Sequence, residues 1–222
     1  MVKAVIFDVD GTLIDTNDLH VASWVETFRR FGHEVAQDAV RGQIGKGSDQ
    51  LMPVFLPPEL VERRGEEIAA ARTALFLQDY VGQARAFPGV QPLFERLHRA
   101  GQRIILATSA KGKELERYRE ILGVDDLIDD AVTSDDAEHS KPSPDIFQAA
   151  LSRLAPLTAA EASVVGDTPY DAQAAGKAGL STIGLLCGGF SAATLRDAGC
   201  FAVYRDPAEL LAQLDHSPLA AR

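Results

Sequence analysis

The sequence has little of what marks secreted, membrane-spanning or disulfide-stabilised proteins. It contains two cysteines among 222 residues, so we expect Cys187 and Cys200 to be reduced and buried rather than part of a disulfide scaffold. No apolar run approaches the roughly 20 residues needed to cross a bilayer. The first apolar segment, Ala4 to Phe7, is too short for a signal-peptide core. These absences predict a cytoplasmic protein without a membrane partner.

The sequence also has fewer basic than acidic residues. The 22 lysines and arginines stand against 32 aspartates and glutamates, which gives a net charge of −10. Because a nucleic-acid backbone needs clustered cations, this balance argues against a nucleic-acid partner. A small phosphorylated metabolite needs only a few cations placed locally, so it is the kind of partner that this composition still allows. The oligomeric state is not predicted.

Short apolar runs alternate with helical patterns along most of the chain. The runs predicted to be buried strands are Ala4–Phe7, Arg103–Ala107, Ser163–Val165, Ser181–Leu186 and Phe201–Val203. The helical patterns are Val90–Ala100, Lys113–Leu122, Asp145–Leu154, Asp171–Ala178, Ala192–Ala198 and Pro207–Leu214. Such alternation is typical of an α/β fold with a doubly wound, mostly parallel sheet and helices on both faces.

The interval from Thr16 to Ala84 breaks this alternation. It contains several helical stretches, the longest predicted from Pro58 to Tyr80, and no convincing strand. We therefore predict an inserted, all-helical cap domain over residues 16–84, with an α/β core formed by residues 1–15 and 85–222. The residues from His216 onward are expected to be frayed.

Two carboxylates follow the first predicted strand, in the segment Asp8-Val9-Asp10-Gly11-Thr12. The carboxyl ends of parallel strands are where open α/β sheets bind ligands. In a turn, carboxylates two residues apart can serve one site. Taken alone the pair is a weak signal, since helix capping and turn formation explain many aspartates in such positions.

Three later segments change the weight of that signal. Thr108 and Ser109 follow the second strand, where hydroxyl and backbone N–H groups can hold a phosphoryl oxygen. Lys141 lies in a loop stiffened by two prolines. Asp167 and Asp171 follow the strand that ends at about Val165. Capping or surface exposure could explain each residue by itself, but the ordered set is hard to obtain that way.

The ordered set resembles the four motifs of the haloacid dehalogenase-like (HAD) superfamily. Here the motifs are Asp8-x-Asp10-Gly11-Thr12, Thr108, Lys141 and Gly166-Asp167-x-x-x-Asp171. The resemblance covers essentially the whole chain, and the helical block after the first motif is similar to the phosphoglycolate phosphatase and β-phosphoglucomutase-like subgroup. It implies a Rossmann-like core and a Mg²⁺-dependent phosphatase that hydrolyses a small phosphomonoester, of the sugar phosphate or phosphoglycolate type.

The resemblance also implies the chemistry of the acidic residues. Asp8 would be the nucleophile that becomes an aspartyl phosphate, and Asp10 the general acid and base. Mg²⁺ would be held by Asp8, by the backbone carbonyl of Asp10 and by Asp167. Asp171 would support these ligands without binding the metal.

The remaining implied roles concern the substrate. Thr108, Ser109 and Lys141 would bind its phosphate, and the cation of Lys141 would offset the charge that develops during transfer. In the cap, Lys46 is expected to contact the substrate, and His20 is expected either to contact the substrate or to pack its helix against the core.

Two alternatives stay open. The spacing of His20 and Trp24 also resembles the cap of β-phosphoglucomutase, which makes a phosphosugar mutase possible, although the loop from Ile44 to Leu51 contains Lys46 and no arginine. A phosphoacceptor signalling module of the response-regulator type combines similar residues on a doubly wound sheet. Such receivers carry their phosphorylated aspartate on a later strand and are far shorter.

Overall fold

The computed structural model describes residues 1–110 and 112–220. The strands in these ranges are β1 (Ala4–Phe7), β2 (Ile14–Asp15), β3 (Arg85–Ala86), β4 (Arg103–Ala107), β5 (Asp130–Val132), β6 (Ala162–Gly166), β7 (Ser181–Leu185) and β8 (Cys200–Tyr204). The α-helices are α1 (Asn17–Arg30), α2 (Gln37–Arg41), α3 (Ser48–Phe55), α4 (Pro58–Leu75), α5 (Val90–Arg99), α6 (Lys113–Leu122), α7 (Asp145–Arg153), α8 (Pro169–Lys177), α9 (Ala192–Asp197) and α10 (Pro207–Ala212). A π-helical turn at Phe76–Tyr80 continues α4. None of the described helices combines the length and apolar character that crossing a membrane requires.

Strand β1 lies at the centre of the main sheet. The strand order is β5-β4-β1-β6-β7-β8, and all neighbours are parallel. Successive side chains of a strand point to opposite faces. Val5 and Phe7 therefore enter one apolar cluster, whereas Ala4 and Ile6 enter another. Burial on both faces explains why this strand reads as a continuous apolar run.

Helices cover both faces of this sheet. Side chains of α5, α6 and α10 complete the cluster that contains Phe7, and side chains of α7 and α8 complete the cluster that contains Ile6. This arrangement confirms the predicted fold class. Strand β5 is the main difference from the sequence prediction, since its three residues include an aspartate and lie at the edge of the sheet.

Helices α1 to α4 form the inserted block. The strands on either side of it, β2 and β3, pair antiparallel, with Ile14 opposite Ala86 and Asp15 opposite Arg85. The block has an apolar cluster of its own, built around Trp24, Phe28, Leu51 and Ile68. Because a separate core is the mark of a domain, we propose that residues 16–84 are the cap and that residues 1–15 and 85–222 are the core.

The C-terminal tail is packed against the core. The Leu219 side chain is fully buried, and its carbonyl accepts a hydrogen bond from Gln102 Nε2 over 3.0 Å. The expectation of fraying from His216 is therefore wrong for residues 216–220. Residues 221 and 222, which that expectation also covered, lie outside the described residues.

Candidate active site

A buried lysine joins two buried aspartates at the carboxyl edge of the sheet. Asp8 follows β1 directly, and Lys141 Nζ lies 2.5 Å from its Oδ1. The same ammonium lies 2.7 Å from Asp171 Oδ1, in the first turn of α8. Burial alone would disfavour the charge on Lys141, but the two carboxylates outweigh it and raise its pKa above the usual value. Lys141 is therefore a permanent buried cation.

Asp167 completes a group of three carboxylates. Thr12 Oγ1 lies 2.8 Å from Asp167 Oδ1 and 3.1 Å from Asp8 Oδ2, so its hydroxyl joins the first motif to the fourth. Asn17 Nδ2 donates to Asp167 Oδ2 over 2.8 Å. One oxygen each from Asp8, Asp167 and Asp171 lies within 4.8 Å of the others. Carboxylates so close together are a candidate cation site.

The charges of this group do not balance. Burial raises the pKa of Asp8 to about 7, against the opposing effect of Lys141, and Asp171 and Asp10 raise it further. Burial, together with the charges of Asp8 and Asp171, raises the pKa of Asp167 well above its usual value. Among the described residues, Lys141 is thus the one lysine paired with these buried acids. A hard divalent cation such as Mg²⁺, which prefers carboxylate oxygens, would relieve the excess negative charge, so the donor set fits such an ion.

Two glycines make room for Asp167. A Cβ at Gly188 would lie 1.7 Å from Asp167 Oδ2, and a Cβ at Gly11 would lie 2.4 Å from the same oxygen. Gly11 also has a φ of +73°, in the left-handed region that favours glycine. Asn17 Nδ2 donates to the Gly188 carbonyl over 2.9 Å. Gly11, Asn17 and Gly188 thus form a cradle around the Asp167 carboxylate.

Asp10 is held separately from these acids. Thr16 Oγ1 donates to its Oδ1 over 2.7 Å, and His20 Nε2 lies 2.6 Å from the same oxygen. Burial would raise the pKa of Asp10, but the contacts with His20 and Thr16 stabilise the carboxylate and hold this pKa below its usual value. His20, which we expected to contact the substrate, is thus a partner of Asp10 that also faces the cavity.

The two hydroxyls predicted to bind phosphate differ in position. Thr108 is fully buried, and its Oγ1 accepts a hydrogen bond from the Ala110 backbone N–H over 3.0 Å, as in a local turn. Ser109 is exposed and lies in the wall of the cavity that contains Asp8.

A cavity of about 1100 Å³ lies between the helical block and the core. Asp8 and Asp10 line it from the core side. Trp24, Met52 and Leu77 contribute apolar wall from the helical block. Lys46 also lines it, donates to Gln43 Oε1 over 2.6 Å and lies 4.8 Å above the ring centroid of Tyr170.

The loop around Lys46 rests on the core. Tyr170 Oη donates to the Gly42 carbonyl over 2.5 Å, and the Ser140 backbone N–H donates to Asp49 Oδ2 over 3.2 Å. A Cβ at Gly47 would lie 2.0 Å from Ser140 Oγ. The loop thus packs against the residue that precedes Lys141.

Several residues of the site were not predicted. Thr16 and Asn17 follow the first motif so closely that its turn could have suggested them. Arg72, Glu114 and Tyr118, which surround His20, carry no such signal because they lie in ordinary helical sequence far along the chain.

Comparisons with known proteins show the family of this chain. The model of the family described as haloacid dehalogenase-like hydrolase matches residues 5–185. The chain is 29% identical over 191 residues to pyrophosphatase PpaX of Bacillus velezensis, with 83% of each chain covered. A hydrolase from Pseudomonas syringae is 32% identical with a TM-score of 0.83, over 96% of this chain and 98% of that one. CbbY from Rhodobacter sphaeroides in complex with phosphate is 27% identical with a TM-score of 0.74, over 97% and 100%. The chain is therefore an enzyme that belongs to the haloacid dehalogenase-like hydrolase family, which confirms the resemblance of its four motifs.

Proposed function

We propose that this enzyme is a Mg²⁺-dependent phosphatase that hydrolyses a small phosphomonoester through an aspartyl phosphate on Asp8. The observation that carries the proposal is the buried Lys141 bridging Asp8 and Asp171, with Asp8 open to the cavity. A nucleophilic carboxylate needs such a fixed cation, because it must approach a phosphate that carries negative charge itself. CbbY, one of the relatives, is described in complex with phosphate.

Two steps follow from the arrangement of the carboxylates. A carboxylate oxygen of Asp8 forms a bond to phosphorus as the ester P–O bond breaks, and Asp10 gives its proton to the departing oxygen. Water then attacks the phosphorus of the aspartyl phosphate while Asp10 takes a proton from it, which releases phosphate and restores Asp8. Lys141 offsets the negative charge in both steps.

Mg²⁺ would be held by Asp8, Asp167 and the backbone carbonyl of Asp10. When bound, it would supply positive charge that helps Lys141 to neutralise the phosphoryl group. Asp171 has both oxygens engaged, because Lys141 pairs with Oδ1 and Thr168 Oγ1 donates to Oδ2 over 2.6 Å. These contacts favour a supporting role for Asp171 over direct metal binding.

The cavity bears on the substrate. The cavity has room for a small phosphorylated metabolite, and Lys46 and Ser109 in its wall offer polar contacts to the organic part or the phosphate. Pyrophosphate is a second candidate substrate, because the similarity to pyrophosphatase PpaX extends over 83% of both chains. The mutase remains a rival that only a product assay separates. The match to a hydrolase family argues against a phosphoacceptor module.

Phosphate release from a defined panel tests the proposal. The panel comprises glycerol 2-phosphate, glucose 1-phosphate, glucose 6-phosphate, phosphoglycolate, p-nitrophenyl phosphate and pyrophosphate, each with Mg²⁺ or with EDTA. We expect repeated turnover of at least one ester, a drop of roughly tenfold or more with EDTA, and recovery when Mg²⁺ is added in excess. Conversion of glucose 1-phosphate to glucose 6-phosphate with little free phosphate would favour the mutase. Turnover that is indifferent to EDTA would contradict the metal assignment.

Gly188→Ala should weaken metal binding. The new Cβ would meet Asp167 Oδ2 at 1.7 Å, so the carboxylate must move. We expect the Mg²⁺ concentration for half-maximal activity to rise by roughly 10- to 100-fold, as when the support of a metal ligand is disturbed. Gly176→Ala is the matched control, since Gly176 lies in α8 with open space around it. That variant should keep the Mg²⁺ dependence and gain roughly 0.5–1 kcal/mol of stability. Equal Mg²⁺ dependence in both variants would show that the cradle does not matter.

A further inference from the structure

Two described side chains contact the same carboxylate oxygen of Asp10. Thr16 Oγ1 and His20 Nε2 both contact Oδ1, over 2.7 and 2.6 Å. Two contacts at Oδ1 fix the plane of the carboxyl group and leave Oδ2 for proton exchange with the substrate. A general acid needs such an orientation, because its proton must face the departing oxygen of the substrate.

The other nitrogen of His20 reveals which tautomer is present. Arg72 Nη2 contacts His20 Nδ1. A guanidinium group can only donate hydrogen bonds, so Nδ1 must accept through its lone pair. The imidazole is then neutral with its proton on Nε2, and this proton is directed at Asp10 Oδ1. Arg72 thus selects the form of His20 that donates to Asp10.

Arg72 is itself held in place. Its guanidinium lies 4.9 Å from the ring centroid of Phe76 and 5.6 Å from that of Trp24. The His20 ring stacks on Phe76 with centroids 4.3 Å apart. Arg72 Nη1 reaches Glu114 Oε1 over 3.4 Å. The aromatic rings and the carboxylate give the cation a defined position beside the imidazole.

Two core residues complete the support. Glu114 and Tyr118 lie one turn apart on α6, and both are buried. Tyr118 Oη donates to Glu114 Oε1 over 3.2 Å and lies 3.1 Å from His20 Nε2. Glu114 therefore accepts from Tyr118 of the core and from Arg72 of the helical block. A buried carboxylate shared in this way ties the orientation of His20 to both parts of the molecule.

We propose that Arg72, Glu114 and Tyr118 are positioning residues that fix the tautomer of His20, so that Asp10 exchanges its proton with the substrate through Oδ2. This inference rests on the phosphatase function proposed above. In the first step the proton leaves Asp10 Oδ2 for the ester oxygen as its bond to phosphorus breaks. In the second step a proton of the attacking water returns to Oδ2. His20 keeps its own proton throughout.

The leaving group provides the test. With enzyme in excess, only the first step determines how fast alcohol or phenol is released. Glycerol 2-phosphate has a poor leaving group that needs a proton, whereas p-nitrophenolate departs without one. Arg72→Met keeps the apolar stem but removes the donor. We expect its rate on glycerol 2-phosphate to fall roughly 10- to 100-fold and its rate on p-nitrophenyl phosphate to change less than about threefold, with the enzyme concentration for half-maximal rate little altered. Tyr118→Phe should show the same pattern to a smaller extent, and Arg72→Lys should recover part of the loss.

Arg64→Met is the matched control. Arg64 lies on the same helix, also sits over an aromatic ring, that of Phe31, and pairs with Glu67 at the surface. This variant should leave both rates unchanged. Long-range ¹H–¹⁵N spectra, tractable with five histidines in the chain, give a readout besides activity. They should show His20 with a bare Nδ1 and a protonated Nε2 in the parent, and a mixture of tautomers in Arg72→Met.

The outcomes separate the two proposals. Equal losses on both esters, or a His20 tautomer unaffected by Arg72→Met, would overturn the positioning role and reduce the network to a structural one. Full activity of Arg72→Met and Tyr118→Phe on both esters would overturn it as well. Retained activity of Asp8→Asn would instead refute the phosphatase mechanism itself, whatever the pattern among the other variants.

Discussion

Asp8→Asn should abolish phosphate release and still fold. An amide of the same shape keeps the packing but has no anionic oxygen to attack phosphorus, so kcat should fall by roughly 1000-fold or more on every substrate that the parent accepts. A colorimetric phosphate assay run over hours, with Mg²⁺ in excess, measures the residual activity. Undiminished turnover would eliminate Asp8 as the nucleophile and with it the proposed mechanism.

The same variant should not lose stability in EDTA. Burial raises the pKa of Asp8 from 3.8 to about 7, so the folded chain keeps a proton that the unfolded chain releases near pH 4. Stability of the parent therefore decreases as the pH rises from about 4 to 7, through this group. Asparagine does not titrate and escapes that loss. Thermal melts at pH 8 should place Asp8→Asn at or above the parent, and a clearly lower melting temperature would contradict the charge imbalance described for the site.

Lys141→Met should damage both activity and stability. Methionine fills most of the same volume but leaves Asp8 and Asp171 buried without their shared cation. Breaking a buried ion pair from one side typically costs about 3–5 kcal/mol, and losing a fixed charge at a reacting group typically costs about 100- to 1000-fold in kcat. Urea denaturation in EDTA measures the first effect and the phosphate assay measures the second.

Lys3→Met is the control for Lys141→Met. Lys3 pairs with Glu161 over 2.7 Å, but the side chains keep 54% and 29% of their surface exposed to solvent, so this pair is not buried. An exposed pair contributes little, so activity and unfolding should stay close to the parent. A Lys141→Met variant that unfolds like Lys3→Met would mean that the buried bridge is not needed. In the Asp8→Asn background, Lys141→Met should lower the free energy of unfolding by less than in the parent. Only Asp171 is then left buried without the lysine, because residue 8 no longer carries a charge.

The central part of the fold could be predicted from sequence because it obeys a simple rule. Strands β1, β4, β6 and β7 are buried on both faces, and such strands appear as short apolar runs with polar residues at their carboxyl ends. The residues at those ends, Asp8 and Asp167 among them, converge because parallel strands finish at one edge. Their positions directly after predicted parallel strands were therefore enough to predict that they lie close together.

Other features follow no such rule. Strand β5 lies at an edge and starts with Asp130, so its apolar content is too small to stand out. The pairing of β2 with β3 joins two-residue segments some 70 positions apart, as Asp15 opposite Arg85 shows. The contacts of His20 with Arg72 and Tyr118 span 52 and 98 positions between helices, where spacing does not indicate which side chains will meet. Only the packed structure reveals them.

The central place of β1 has a consequence for how the chain is made. Its hydrogen-bonding partners are β4, which begins at Arg103, and β6, which begins at Ala162. At roughly 5–20 residues per second, a ribosome needs about 8–30 seconds after β1 before it has synthesised β6. During that time β1, the most apolar strand of the sheet, has at least one edge whose backbone groups are not paired with a neighbouring strand. A nascent chain that stops before β6 therefore carries Asp8 but lacks β6, which pairs with β1, and the two aspartates that follow β6.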